Sequence, residues 1–102
     1  MRLKDHEIQA IRKAAVDLFG PDAEVWLFGS RVDDAKRGGD IDLMVSLSGT
    51  DAHDAVHLSK QRVRYLVALE KILGERRIDL VTAWPGDERP IVRVAKDTGV
   101  RL

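Results

Sequence analysis

The sequence contains no cysteine, which removes disulfides, thiolate zinc sites and cysteine nucleophiles from consideration and fits a reducing compartment. It also has no net charge. Its 17 basic residues balance 17 acidic ones, so no global positive field draws in nucleic acid, and direct nucleic-acid binding is not expected. No run approaches the roughly 18 apolar residues of a membrane span, and the opening MRLKDHEIQ lacks the apolar segment of a signal peptide. The expectation is a cytoplasmic protein without a membrane. Internal repeats, low-complexity tracts and linkers are missing as well. The 102 residues therefore read as one domain, 1–102, with a single core and no separate substrate-binding domain.

The most informative stretch runs from Gly29 to Val45, GSRVDDAKRGGDIDLMV. Acidic residues are depleted in strands, and ionised carboxylates resist burial unless paired, yet Asp40 and Asp42 stand inside an apolar run. Alternation along a strand sends both to one face and Ile41, Leu43 and Val45 to the other. Two neighbouring carboxylates repel each other, and a divalent cation makes such a pair favourable.

Around this stretch the chain reads in order as helix, strand, strand, helix, strand, helix. From Lys4 to Phe19, residues Ile8, Ile11, Ala15, Leu18 and Phe19 recur at helical spacing until Gly20-Pro21-Asp22 stops the helix. Val25 to Phe28 is a continuous apolar run, a strand buried on both faces, and the second strand covers Asp40 to Leu47. Thr50 or Asp51 caps a long helix ending at Leu73, with an apolar stripe of Val56, Val63, Leu66, Leu69, Ile72 and Leu73. Arg77 to Thr82 is a third strand whose alternation separates Asp79 from Ile78 and Leu80. Pro90 opens a last helix in which Ile91, Val94, Ala95 and Thr98 line up before Gly99. The fold class is α/β (α+β): a small mixed β-sheet with helices packed on one face, and Asp40, Asp42 and Asp79 on the other.

Three carboxylates on one sheet face suit two-metal phosphoryl transfer, and hard oxygen ligands suit magnesium, which takes its remaining ligands from water and phosphate. The loop before the pair supplies the complement. Glycine lets the backbone approach phosphate, Ser30 offers a hydroxyl, and Arg31, Lys36 or Arg37 can neutralise charge. Ser30 can equally cap a short helix, which is compatible with binding phosphate. His53 and His57 have the i, i+4 spacing of a metal pair on a helix, but without a third ligand nearby they read as exposed helix. Trp26 reads as core and Trp84, beside Pro85, as a packed turn.

Gly29-Ser30, Gly39-Asp40-Ile41-Asp42-Leu43 and the later Asp79 together resemble the signature of the polymerase-beta-type nucleotidyltransferase superfamily, in its minimal (MNT) branch. The closing AKDTGVRL is similar to the A-x-x-x-G-x-x-L ending of small members. The resemblance implies a nucleotidyltransferase fold and two magnesium ions on Asp40 and Asp42, with Asp79 on the catalytic ion and helping to activate the attacking hydroxyl. It also implies that Gly29 and Ser30, with Arg31 beside them, hold the phosphates of ATP. The implied reaction moves a nucleoside monophosphate, AMP, to an acceptor hydroxyl and releases pyrophosphate. Small members of this kind are commonly antitoxins of HEPN/MNT toxin–antitoxin pairs that add AMP to a tyrosine of an HEPN-type ribonuclease toxin. Homo- or hetero-oligomers are compatible with that setting. Two other functions stay open: an antitoxin that neutralises its partner by binding alone, and transfer to a small molecule such as an aminoglycoside.

Overall fold

A computed structural model describes residues 3–29, 41–48, 55–74 and 77–102. The described elements are α1 (Asp5–Phe19), β1 (Glu24–Phe28), β2 (Ile41–Ser46), α2 (Ala55–Leu73), β3 (Ile78–Ala83), α3 (Pro90–Thr98) and β4 (Val100–Arg101). The sheet order is β3-β2-β1-β4. β1 runs antiparallel to β2 and β4, and β2 runs parallel to β3 with α2 as the crossover. The mixed sheet, the element types and their order are those the residue pattern predicts. β4 is an addition, because two residues carry no periodicity that would announce a strand.

Alternation along the strands sorts the core into two layers. Val25, Leu27, Ile41, Leu43 and Val45 join Ile11, Ala15, Tyr65, Leu69 and Leu73 under α1 and α2. The intervening positions Phe28, Met44 and Ala83 meet Val92 and Ala95 of α3, with Trp26 and Val81 packed beside them. The expectation of helices on one face therefore holds for α1 and α2, while α3 lies against the opposite face. That placement follows from β1 and β2, which carry apolar residues on both faces and so need cover on both.

Two hydrogen bonds pin the helical layer. The Tyr65 hydroxyl donates to the Ile11 carbonyl at 3.1 Å and the Gln61 amide to the Leu18 carbonyl at 2.8 Å. Burial pushes the Tyr65 phenol well above its usual range, so this hydroxyl stays a donor. Its ring also meets Phe19 edge-on at 5.3 Å.

The apolar stripes of the two later helices match the predicted ones in part, with Leu69 and Leu73 of α2 and Ala95 of α3 buried as expected. In α2, Tyr65 takes a fully buried place while Val56 and Val63 are 69% and 61% exposed. In α3 the buried residues are Val92 and Ala95, with Ile91 and Val94 outward. Gly99 accounts for the second shift. A Cβ there would overlap the Ala95 carbonyl and stand 2.7 Å from the Leu27 carbonyl. α3 thus approaches β1 closely along its Val92, Ala95 and Gly99 side, where small residues permit contact. The closing Leu102 donates its N–H to the Val25 carbonyl at 2.8 Å and packs on the main core. Ala95, Gly99 and Leu102 of the closing motif are therefore fold-forming positions.

Between β3 and α3, the Asp87 N–H closes a turn onto the Trp84 carbonyl at 3.1 Å. The Arg89 Nη2 binds the Asp87 carboxylate at 2.7 Å and the Thr82 carbonyl at 2.8 Å, and its guanidinium lies 4.4 Å from the Trp84 ring centre. The turn forms as the sequence predicts, but Trp84 is 43% exposed and carries the Arg89 guanidinium on its ring instead of packing into the core. Hydrogen bonding from the Arg89 side chain holds the Asp87 carboxyl below its usual range. A lowered carboxyl pKa adds stability above the unfolded value of about 3.9, and the gain disappears as pH falls through the folded value. Asp87→Asn is therefore expected to melt lower than wild type at pH 7. The gap should begin to narrow as pH falls below about 4 and close once pH passes the lowered folded value. Thermal melts of both proteins across pH 2.5 to about 7.5 check this.

Candidate active site at the β2–β3 end of the sheet

Asp42 is the second residue of β2 and Asp79 the second of β3. The register sets Asp42 opposite Phe28 on one side and Asp79 on the other. Neighbouring strands lie about 4.8 Å apart, and residues in register share a face. The face is that of Met44 and Phe28, away from α1 and α2. Phe28, Asp42 and Asp79 therefore form one row across three strands, at the ends from which parallel β2 and β3 start. The sequence singles out both aspartates; Phe28 completes the row only through the β1–β2 register.

Gly29 follows directly from β1 and lies against this row. Its φ is +78°, a left-handed conformation that suits glycine. A Cβ at Gly29 would collide with the Asp42 carboxylate, coming within 3.0 Å of its Cγ. The missing side chain thus admits the carboxylate beside the backbone. Asp42 is half-buried there, while the Asp79 side chain is 50% exposed.

Arg77 forms an ion pair with Asp79, Nε to Oδ1 at 3.8 Å, and its own side chain is 75% exposed. A pair so open to water contributes little to stability. It leaves Asp79 accessible and partly offsets the negative charge of the row.

Asp40, Ser30 and Arg31, with Lys36, Arg37 and His53, lie outside the described residues. No group of three His, Cys, Asp or Glu side chains gathers for a metal among the described residues. Asp42 and Asp79 nevertheless fit a hard cation. They offer only carboxylate oxygen, stand in register, and have at Gly29 a backbone that leaves room at the carboxylate.

His57 lines a crevice with Leu18, Phe19, Leu47, Ser48, Leu58 and Gln61. Its volume of about 10 Å³ admits a water rather than a base, and Leu47 and Ser48 place it beyond the far end of β2 from Asp42. His57 has no described part in the aspartate row.

The sequence profile of a family described as nucleotidyltransferase domain matches residues 8–101, nearly the whole chain. The chain belongs to the nucleotidyltransferase domain family. Comparison with curated proteins finds none that matches it. Membership supports the polymerase-beta-type superfamily and makes the chain a transferase of the nucleotidyl-transfer class. The small mixed sheet with three helices agrees with that fold. Among the described residues no helix is long and apolar enough to cross a membrane.

Proposed function

We propose that this chain is a single-domain, magnesium-dependent transferase that moves AMP from ATP to a tyrosine hydroxyl of an HEPN-type ribonuclease, and so acts as its antitoxin. The observation that carries the chemistry is the in-register pair Asp42 and Asp79 beside the left-handed Gly29, within a family that transfers nucleotides. The partner rests on the resemblance to minimal nucleotidyltransferases in the Gly29-Ser30 turn, the Asp40-Ile41-Asp42 triplet and the closing motif.

In this reading Asp42 and Asp79, together with Asp40, hold two magnesium ions. Bound magnesium supplies charge neutralisation at the triphosphate and lowers the pKa of the attacking hydroxyl. Gly29 lets the backbone draw close to the β and γ phosphates, and Ser30 and Arg31 add a hydroxyl and a positive charge there. The acceptor oxygen forms a bond to the α-phosphorus as the bond to the β-bridging oxygen breaks, and pyrophosphate leaves with that electron pair. Asp79, half exposed beside the acceptor's approach, takes the hydroxyl proton. The chain contributes alignment and electrostatics, with no covalent intermediate.

Incubation with α-labelled ATP, magnesium chloride and a purified HEPN-type ribonuclease tests the reading. Label on a toxin tyrosine, with loss of ribonuclease activity, is the expected result. Neutralisation without label would replace it with a binding-only antitoxin, and label on an aminoglycoside but not on the toxin would redirect it to a small-molecule acceptor.

A further inference from the structure

β3 is an edge strand, and an edge presents backbone polar groups that no strand pairs. The Arg77 and Ala83 carbonyls accept from the Ile41 and Leu47 amides of β2. In a parallel ladder a residue turns its N–H and C=O to the same side, so Asp79 and Val81 also face β2 while Leu80 and Thr82 face outward. Two guanidinium groups meet these outward carbonyls. Arg62 of α2 reaches the Leu80 carbonyl at 3.2 Å and the Thr82 hydroxyl at 3.1 Å, and Arg89 reaches the Thr82 carbonyl. Arg89 thus ties down the end of β3 that leads into α3. Arg62 ties the strand to α2 one residue beyond Asp79.

Arg62 itself rises from a fixed base. Its helix is anchored by buried Tyr65 and Leu69 and by the Gln61 bond to α1, and Arg62 is half-buried. Charged donors to neutral acceptors make stronger hydrogen bonds than neutral pairs. Without Arg62, the Asp79 half of β3 would keep its pairing with β2 and the packing of Ile78 and Leu80 on the core but lose the hydrogen bond on its outer edge, while Arg89 still gripped the other half. Displacement would then concentrate at Asp79.

We infer that Arg62 is a positioning residue, which holds Asp79 at the height and lateral offset that a cation shared with Asp42 requires. The inference rests on the reading of Asp79 as a metal-holding carboxylate. It adds a residue that lies on the opposite face of the sheet and touches neither nucleotide nor metal.

The test compares wild type, Arg62→Ala, Arg62→Lys and Asp79→Asn as full-length chains at a temperature where melts show all four folded. Manganese affinity is read by electron paramagnetic resonance with the non-hydrolysable analogue α,β-methylene-ATP present. Backbone hydrogen exchange is read in parallel. For Arg62→Ala, manganese affinity should fall about tenfold, the lower end of the cost of removing a residue that orients a metal ligand. The Asp79 and Val81 amides should exchange faster, as should that of Leu43, which donates across the same ladder, with those of Trp26 and Met44, which pair on the β1 side, unchanged. Arg62→Lys, which keeps one charged donor, should recover part of the affinity and stay about threefold below wild type; should Arg62→Ala not fold, that intermediate affinity at an unchanged melting temperature carries the test. Manganese affinity in every folded Arg62 variant within about twofold of wild type, with Asp79→Asn weakened, would overturn the inference alone. Wild-type affinity in Asp79→Asn would overturn the reading of Asp79, and the inference with it.

Discussion

Asp42→Asn is expected to lower nucleotidyl transfer by about 10² to 10³-fold while leaving the fold in place, the scale on which a single electrostatic contact to a transition state acts. The substitution is nearly isosteric, so the tight space at Gly29 and the register with Phe28 and Asp79 are kept. What is lost is a negative charge and an anionic oxygen at the centre of the row. The amide still offers a carbonyl oxygen, so the deficit should fall mainly on turnover and metal affinity and only slightly on the melting temperature. Steady-state assays at saturating magnesium, with thermal melts alongside, separate these outcomes. Loss of melting temperature in step with activity would instead make Asp42 a folding residue.

Gly29→Ala is expected to act on both stability and catalysis, for two physical reasons that can be measured apart. A φ of +78° costs about 1 to 3 kcal/mol in a residue that carries a Cβ. The added methyl would also overlap the Asp42 carboxylate, forcing it out of the row. A shift of about 1 Å in a reacting group can cost on the order of 10²-fold in rate. A double-mutant cycle with Asp42→Ala isolates the collision. In that background the stability loss should shrink to the backbone part, because the group the methyl strikes has gone. A loss of equal size in both backgrounds would leave the left-handed backbone as the whole effect.

The residue pattern made much of this architecture legible before any coordinates. Strand alternation placed Asp42 and Asp79 on the face away from the two long helices, because a one-residue slip in either strand would bury a carboxylate and expose an aliphatic. The phase of α3 was not legible in the same way. Ile91, Val92, Val94 and Ala95 give that short helix two apolar sides of similar merit, and close contact at Gly99 selects the Val92 and Ala95 side. Val56 and Val63 of α2 mislead for a related reason, since Tyr65 and Leu69 define an inward stripe that excludes them. Arg62 could not be singled out from spacing, because its partners are fixed by how α2 and β3 lie in space.

The α2 crossover between β2 and β3 separates the two halves of the aspartate row along the chain. The Phe28 and Asp42 half belongs to an antiparallel pair joined by one short connection, whereas Asp79 arrives only after the whole of α2 has been placed. Closing the longer segment costs more chain entropy, and parallel pairing is the slower event. The first half can therefore form early, and the carboxylate pair exists only once folding is complete. A nascent chain that has formed its first two strands would carry Asp42 without Asp79, and so would lack the cross-strand half of the site.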